Sequence, residues 1–350
     1  MSTSTPFIAT EESYLSPLIP FGPSSTPSDA ALHLIPPATL SKLRTLGPLR
    51  VRDMRTSSIT LQIISHIPIE NATPQTCQKI NDAMYSQIVM SPDRFQALAM
   101  LPCGRGVGKE AGRELARCVS KYRFVGGVMG VKRGGSEGSV DGEAGSLDDK
   151  EWEELWAVAE RYKVPIALRT VFPSREKIPE FAGAYPESLI GPLLTNFHAH
   201  HTTSPLLILR LYLSGVFDRH PNLHLILSQS GHSIPSLLPR ILALDSSLLP
   251  PKPVRSFLDV WQHNFYVTTA DVLDLQSMRL LLEQIPLDRV LFATGYPWEE
   301  RGRELMKDLR ESSIVSKEEW ERIAFGNAEW LFGVKIGSGV GKDGKGVARW

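Results

Sequence analysis

Eight short apolar runs recur along the chain, beginning near residues 7, 59, 95, 124, 164, 223, 265 and 289. They read as strands. ITLQIISHI (59–67) is rich in β-branched residues, FQALAML (95–101) and VPIAL (164–168) are compact and apolar, and RVLFA (289–293) is the last of the set. FVGGVMGV (124–131) carries glycines that suit close packing inside a sheet. Most neighbouring runs are separated by a stretch with helical spacing. Pro74 suits the first turn of a helix over 74–89, and Lys109–Lys121 is helical. Trp152, Leu155, Trp156 and Ala159 fall at i, i+3, i+4 and i+7 of a helix opening at Ser146. Ser316 with Glu319 forms a capping-box pattern before a helix carrying Trp320 and Ile323. Strands alternating with helices predict a parallel sheet, and eight such units predict an α/β chain closed into a (β/α)8 TIM barrel, as a single domain. An open doubly wound sheet is the alternative. No glycine fingerprint follows the first strand, as its dinucleotide-binding version would need.

The barrel is expected to occupy residues 1–336, with a Pro- and Ser-rich, partly helical excursion over 15–57 after strand one. RGGSEGSVDGEAGS (133–146) reads as a loop, too long and too acidic for a phosphate cradle. Residues 337–350 (GSGVGKDGKGVARW) show no periodicity and read as a disordered tail.

Composition excludes several classes. Lys+Arg and Asp+Glu both number 38 and the basic residues are not clustered, so neither a nucleic-acid nor an acidic-membrane partner is expected. The longest apolar run, 205–217, is broken by Arg210 and too short to span a bilayer. MSTSTPFIAT shows no secretory signal. Cys77, Cys103 and Cys118 are widely spaced and read as free thiols in a reducing compartment, so a cytoplasmic protein is expected.

In such barrels the chemistry lies at the carboxyl ends of the strands. The residues collected there are Glu11, Glu12 and Ser13; Ser65 and His66; Pro102 and Cys103; Lys132 and Arg133; Arg169 and Thr170; Gln229 and His232; Thr269 and Asp271; and Gly295, Tyr296 and Trp298. The set is polar and mixed, without the cluster of His and carboxylates a divalent metal needs.

Several segments resemble the amidohydrolase-related decarboxylases, the group that includes γ-resorcylate, dihydroxybenzoate and aminocarboxymuconate-semialdehyde decarboxylases. They are IATEESYL, DRFQALAMLP, ELARCV with FVGGVMG, VPIALRT, LRLYLSGVFDRHPNLHLILSQSG, NFYVTT, DRVLFATGYPWE and NAEWLFG, in the family's order over about residues 7–333. The resemblance implies a metal-dependent (β/α)8 barrel. Its ligands are Glu or His after the first strand, His after the fifth and sixth, and Asp after the eighth. The metal holds the substrate carboxylate and an adjacent oxygen while an acid protonates the ring carbon. This chain keeps Glu11 but has Ser13 at the companion His position and Arg169 at the fifth-strand His. The usual Gly-His-x-Gly-Glu reads Ser228-Gln229-Ser230-Gly231-His232, and the final Asp is Gly295. One carboxylate supplies too few ligands and a guanidinium would repel a dication, so the expectation is that no metal cofactor is bound.

The candidate catalytic residues are Glu11, Arg169 and His232. Arg169 either binds a carboxylate or phenolate through its fork or pairs with Glu11 to fill the site. Glu11 is either a general base or only that partner, and a neighbouring cation is expected to lower its pKa. His232 is either an acid–base group or a locally bonded histidine at a helix start. The candidate substrate contacts are His66, Gln229, Arg240, Tyr296 and Trp298. Gln229 would orient a ligand or Arg169, and Tyr296 and Trp298 would form an aromatic wall. Arg240 matches an arginine that meets the substrate carboxylate in some relatives, or else makes a rim ion pair. His198, His200 and His201 are read as packing and solvent groups with one pocket contact among them. The function expected is a decarboxylase-like lyase, or a related cyclase, acting on a small aromatic or polyketide-type carboxylic acid. The alternative is a catalytically dead barrel that binds a ligand or supports a partner subunit. Relatives of the resembled family dimerise, which leaves a homodimer open here by analogy.

Overall fold

The computed structural model describes residues 6–19, 26, 28–70, 72–131, 147–202, 204–299 and 301–336, with only the backbone given for 201–202. Lys132, the segment expected as a loop over 133–146 and the expected tail at 337–350 lie outside the described residues. Eight strands follow in chain order: β1 (Phe7–Tyr14), β2 (Ile59–His66), β3 (Phe95–Met100), β4 (Gly126–Val131), β5 (Ile166–Thr170), β6 (Leu225–Leu227), β7 (Phe265–Thr268) and β8 (Val290–Leu291). They form one sheet in the order β1 to β8, and every neighbouring pair is parallel. The seam is joined by backbone bonds from Thr10 N–H to the Phe292 carbonyl and from Ser13 N–H to the Tyr296 carbonyl, each 2.8 Å. The architecture is therefore the TIM barrel expected from the alternation of elements.

Strand side chains alternate between two apolar layers. Inside the barrel Ile8, Leu61, Ile63, Leu98, Met100, Val128, Ala167, Ile226, Tyr266 and Leu291 belong to one cluster. Between sheet and helices Ala9, Ile64, Ala97, Ala99, Met129, Leu168, Leu225, Leu227 and Val267 belong to another, with Trp152, Trp156 and Trp261. The interior parity continues upward. Two residues beyond Ile63, Ala167, Ile226 and Tyr266 stand Ser65, Arg169, Ser228 and Thr268. The apolar barrel thus ends in a polar top layer, and that layer is the floor of the site.

The excursion after β1 carries helices at Pro37–Leu43 and Pro48–Thr56. Between β5 and β6 stand two helices, Ile190–Thr202 and Leu206–Leu213. Pro205 stands at the start of the second, where its missing N–H costs least. The capping box at Ser316 and Glu319 is formed with both of its bonds. Among the described residues no helix is long and apolar enough to cross a membrane. Cys77 and Cys118 are buried, Cys103 is half-buried, and none is in a disulfide.

Candidate active site

β1 runs through the polar residues expected to follow it, because a register irregularity between Ala9 and Glu12 lets the strand continue. Glu11 sits in that irregularity with φ 50°, a left-handed conformation that re-aims its side chain. Its carboxylate accepts a short hydrogen bond from the Thr268 hydroxyl on β7 and a long one, 3.4 Å, from the Gln229 backbone N–H. Glu12 points away from it, fully buried, and accepts from Thr294 N–H at 2.9 Å and from Gln62 Nε2 at 3.2 Å. Burial pushes the Glu12 pKa up to about 7.

Arg169 reaches in from the end of β5. Its Nη1 donates to Ser65 Oγ at 2.7 Å and its Nη2 to Ser13 Oγ at 2.9 Å. Its Nε lies 3.8 Å from Glu11 Oε1. Ser13 Oγ also accepts from Trp298 Nε1 at 3.2 Å. Burial lowers the Arg169 pKa, opposed by Glu11 and Glu12. The expectation that Arg169 depresses the Glu11 pKa is reversed. Loss of hydration is the larger effect, so Glu11 is raised from its usual value despite the cation beside it.

Above this floor opens a cavity of about 480 Å³. Glu11, Arg169, Gln229 and Trp298 are in its wall, so the barrel brings together four of the residues singled out from the sequence. Phe172 lies against Trp298 in a stacked arrangement, centroids 6.0 Å apart, and both line the cavity. His198 and His200 line it as well. His200 Nε2 is 3.4 Å from Asp271 Oδ2, and that bond raises the His200 pKa.

The other expected residues lie elsewhere. His66 follows inward-facing Ser65 and therefore turns outward. It is fully buried, edge-on to Tyr14, with Nδ1 donating to the Ile67 carbonyl at 2.7 Å. His232 follows three residues of left-handed backbone, Gln229, Ser230 and Gly231, with φ 51°, 57° and 87°, and shares that conformation itself at φ 51°. That turn keeps Gln229 in the cavity wall and buries His232 outside it. Burial lowers both histidines to about 4, so both are neutral at pH 7. Tyr296 is buried beneath the Arg50 guanidinium, 4.5 Å from its ring centroid, and donates to Asp53 Oδ2 at 3.2 Å rather than facing the cavity. Arg240 is exposed on the helix Ile234–Ser247 and is not in the cavity wall. The sequence reading passed over the roles of Ser13 and Ser65 as holders of Arg169 and over the His200–Asp271 pair. Strand parity would have found the serine of β2, since Ser65 shares a face with Leu61 and Ile63.

The Amidohydrolase family profile matches residues 69–334. "Decarboxylase orsB" of Emericella nidulans is 31% identical over 341 residues, covering 95% of this chain and 98% of that one. "Gamma-resorcylate decarboxylase" of Rhodococcus jostii is 30% identical over 280 residues, covering 79% and 82%. A dihydroxybenzoic acid decarboxylase from Polaromonas, crystallised with manganese and 2-nitroresorcinol, superposes with TM-score 0.72 at 25% identity over 94% of this chain and 97% of that one. The manganese in that relative points to a metal cofactor in the family and overturns the expectation that none is bound. The residues of this chain do not fit such an ion in the same way. Among the described residues no group of three or more His, Cys, Asp or Glu is placed to hold one, and the Arg169 guanidinium stands beside Glu11. On the match of profile, sequence and fold, the chain belongs to the amidohydrolase family, and the relatives named here are decarboxylases.

Proposed function

We propose that the chain decarboxylates a small hydroxybenzoic-type acid, with Arg169 holding the substrate's anionic oxygen and Glu11 moving the proton. The observation that carries this reading is the state of Arg169. Its charge is held in place by two neutral hydroxyls, on the floor of an open cavity. A guanidinium has five N–H donors, and two hydroxyl bonds leave donors for a carboxylate or a phenolate. Trp298 and Phe172 offer flat faces for the ring.

The raised pKa of Glu11 favours its protonated form, and it stands next to the cation that would fix the carboxylate. Glu11 passes its proton to the ring carbon that bears the carboxylate, aided by electron donation from the ring hydroxyls. The bond from that carbon to the carboxylate then breaks. Its electron pair restores the aromatic ring, and carbon dioxide leaves. Glu11 is left as a carboxylate beside Arg169, which stabilises the charge formed, and it regains a proton from water.

A decayed barrel would close its old site with apolar packing or with a tight Arg169–Glu11 pair. The open cavity and the 3.8 Å separation favour the catalytic reading. The test is release of carbon dioxide and appearance of resorcinol from 2,6-dihydroxybenzoate, followed by mass spectrometry. Turnover supports the assignment. Binding of the acid without release of carbon dioxide favours the ligand-binding barrel instead.

A further inference from the structure

A second pocket, of about 270 Å³, lies among the helices Pro37–Leu43 and Pro48–Thr56 and the ring of Tyr296. It shares no lining residue with the catalytic cavity. Three cations line it, Lys42, Arg50 and Arg52, against one carboxylate, Asp53. Asp53 is already engaged by the Tyr296 hydroxyl at 3.2 Å and lies 3.9 Å from Arg52 Nε.

Arg50 is the unusual member. It is fully buried, yet its hydrogen bonds among the described residues go to neutral oxygens, from Nε to Gln62 Oε1 at 2.7 Å and from Nη1 to the Ser13 carbonyl at 2.8 Å. Its buried Nη2 has no hydrogen-bond partner among the described residues. Glu12 and Asp53 lie near enough to favour its charge, but neither is hydrogen-bonded to it. A buried guanidinium bonded only to neutral oxygens is costly, and an unused donor adds to that cost. Lys42 Nζ stands over the same Tyr296 ring, 5.5 Å from its centroid, with Arg50 Cζ 4.5 Å from it. Two cations thus converge on one ring at the wall of the pocket. The hydroxyls of exposed Ser41 and half-buried Ser57 add neutral donors in its wall.

We propose that this pocket binds a phosphate group, free or at the end of a small ester, with Arg50 and Lys42 as its charged ligands. A tetrahedral dianion can meet two cations and hydroxyl donors at once, and the arginine fork suits two of its oxygens. The pocket is one residue removed from the catalytic cation. Arg50 holds the Ser13 carbonyl, and Ser13 Oγ holds Arg169.

Isothermal titration of the full chain with inorganic phosphate, and separately with glycerol 3-phosphate, tests this without reference to turnover. The proposal expects saturable binding at one site. Tighter binding of the ester would identify an ester as the ligand, and equal binding the phosphate group alone. Lys42→Glu, at a half-buried position, weakens binding about tenfold or more through loss of one charge-assisted bond and added repulsion. Arg50→Lys does the same through loss of the fork, judged only if its circular dichroism matches the wild type. Arg169→Met leaves binding in place, which separates this pocket from the catalytic cavity. Absence of saturable binding overturns the proposal. So does binding that survives Lys42→Glu and disappears in Arg169→Met.

Discussion

Arg169 Nε and Glu11 Oε1 are 3.8 Å apart, beyond the 2.7–2.9 Å of a charge-assisted hydrogen bond. The two side chains come from β1 and β5 and share one buried floor, but neither is locked to the other. Arg169 takes its fixed position from Ser13 and Ser65, and Glu11 takes its from Thr268. This loose pairing leaves the cation available to an anionic ligand and lets burial dominate the carboxyl group.

That balance sets a pH dependence for turnover. Burial raises the folded pKa of Glu11 above its usual value. If the protonated form is the acid, kcat is highest below the folded pKa and falls as pH rises through it. Glu11→Gln is expected to lower kcat by about a hundredfold to ten-thousandfold, the usual contribution of general acid catalysis, with KM changed by only a few-fold. The residual activity of that variant loses the alkaline limb. A pH–rate profile of wild type and variant checks both points. A limb that persists in the variant would assign the titration to another group, with the His200–Asp271 pair as the next candidate.

The aromatic wall predicts a different signature. Trp298→Ala and Phe172→Ala each remove a ring face from the cavity, a loss of about 0.5–1.5 kcal/mol beyond simple area. KM for an aromatic acid should rise several-fold. Trp298→Phe should restore most of that loss while still lacking the bond to Ser13 Oγ. Steady-state kinetics on the three variants decides this. An unchanged KM in both alanine variants would place the substrate ring elsewhere.

Stability should fall on mild acidification. His66 and His232 have folded pKa values of about 4, against 6.5 for an ordinary histidine. Between those values the unfolded chain binds protons that the folded chain refuses. Their contribution is therefore complete above about pH 6.5 and is lost as pH falls, on the order of 3 kcal/mol each. Glu12 works in the opposite sense. Its folded pKa of about 7 means that its contribution is present below about pH 4.5 and declines as pH rises toward 7. His224 is lowered to about 4 by burial as well, and Glu11 is raised as Glu12 is, so three histidines against two carboxyls leave a net loss on acidification. Urea midpoints measured between about pH 7 and pH 5 should fall, and His232→Gln should reduce the slope. A slope equal to wild type in that variant would contradict the burial argument for His232.

The barrel was legible because its signal is repeated. Eight apolar runs with intervening helices leave few alternatives, and β7 begins at Phe265, where the seventh run begins in the sequence. The site was legible where a residue continues the inward parity of a strand, as Arg169 does, and where a loop turns straight back to the barrel mouth, as at Gln229 and Trp298. It was not legible where backbone conformation decides direction. The run of positive φ from Gln229 to Ser233 sends His232 away from the cavity, and no spacing rule in the sequence announces that turn. Tyr296 was read as a wall of the site, but the buried Arg50 from the excursion draws it to the other side. Arg50 itself went unremarked, since a single arginine in a polar segment gives no sign that it will be fully buried. The direction of the Glu11 shift was misread because charge proximity is visible from a strand assignment, whereas the extent of desolvation depends on the whole packed floor.

The most direct test of the account is carbon dioxide release from carboxyl-labelled 2,6-dihydroxybenzoate by wild type, Arg169→Lys and Arg169→Met, with binding of the acid measured in parallel. The account predicts turnover by the wild type, a loss in kcat/KM of about a thousandfold for Arg169→Met, and only partial recovery in Arg169→Lys, whose ammonium cannot form the fork. Weakened binding of the acid should accompany the loss in both variants. Turnover and binding by Arg169→Met at wild-type levels would contradict the central role given to this residue.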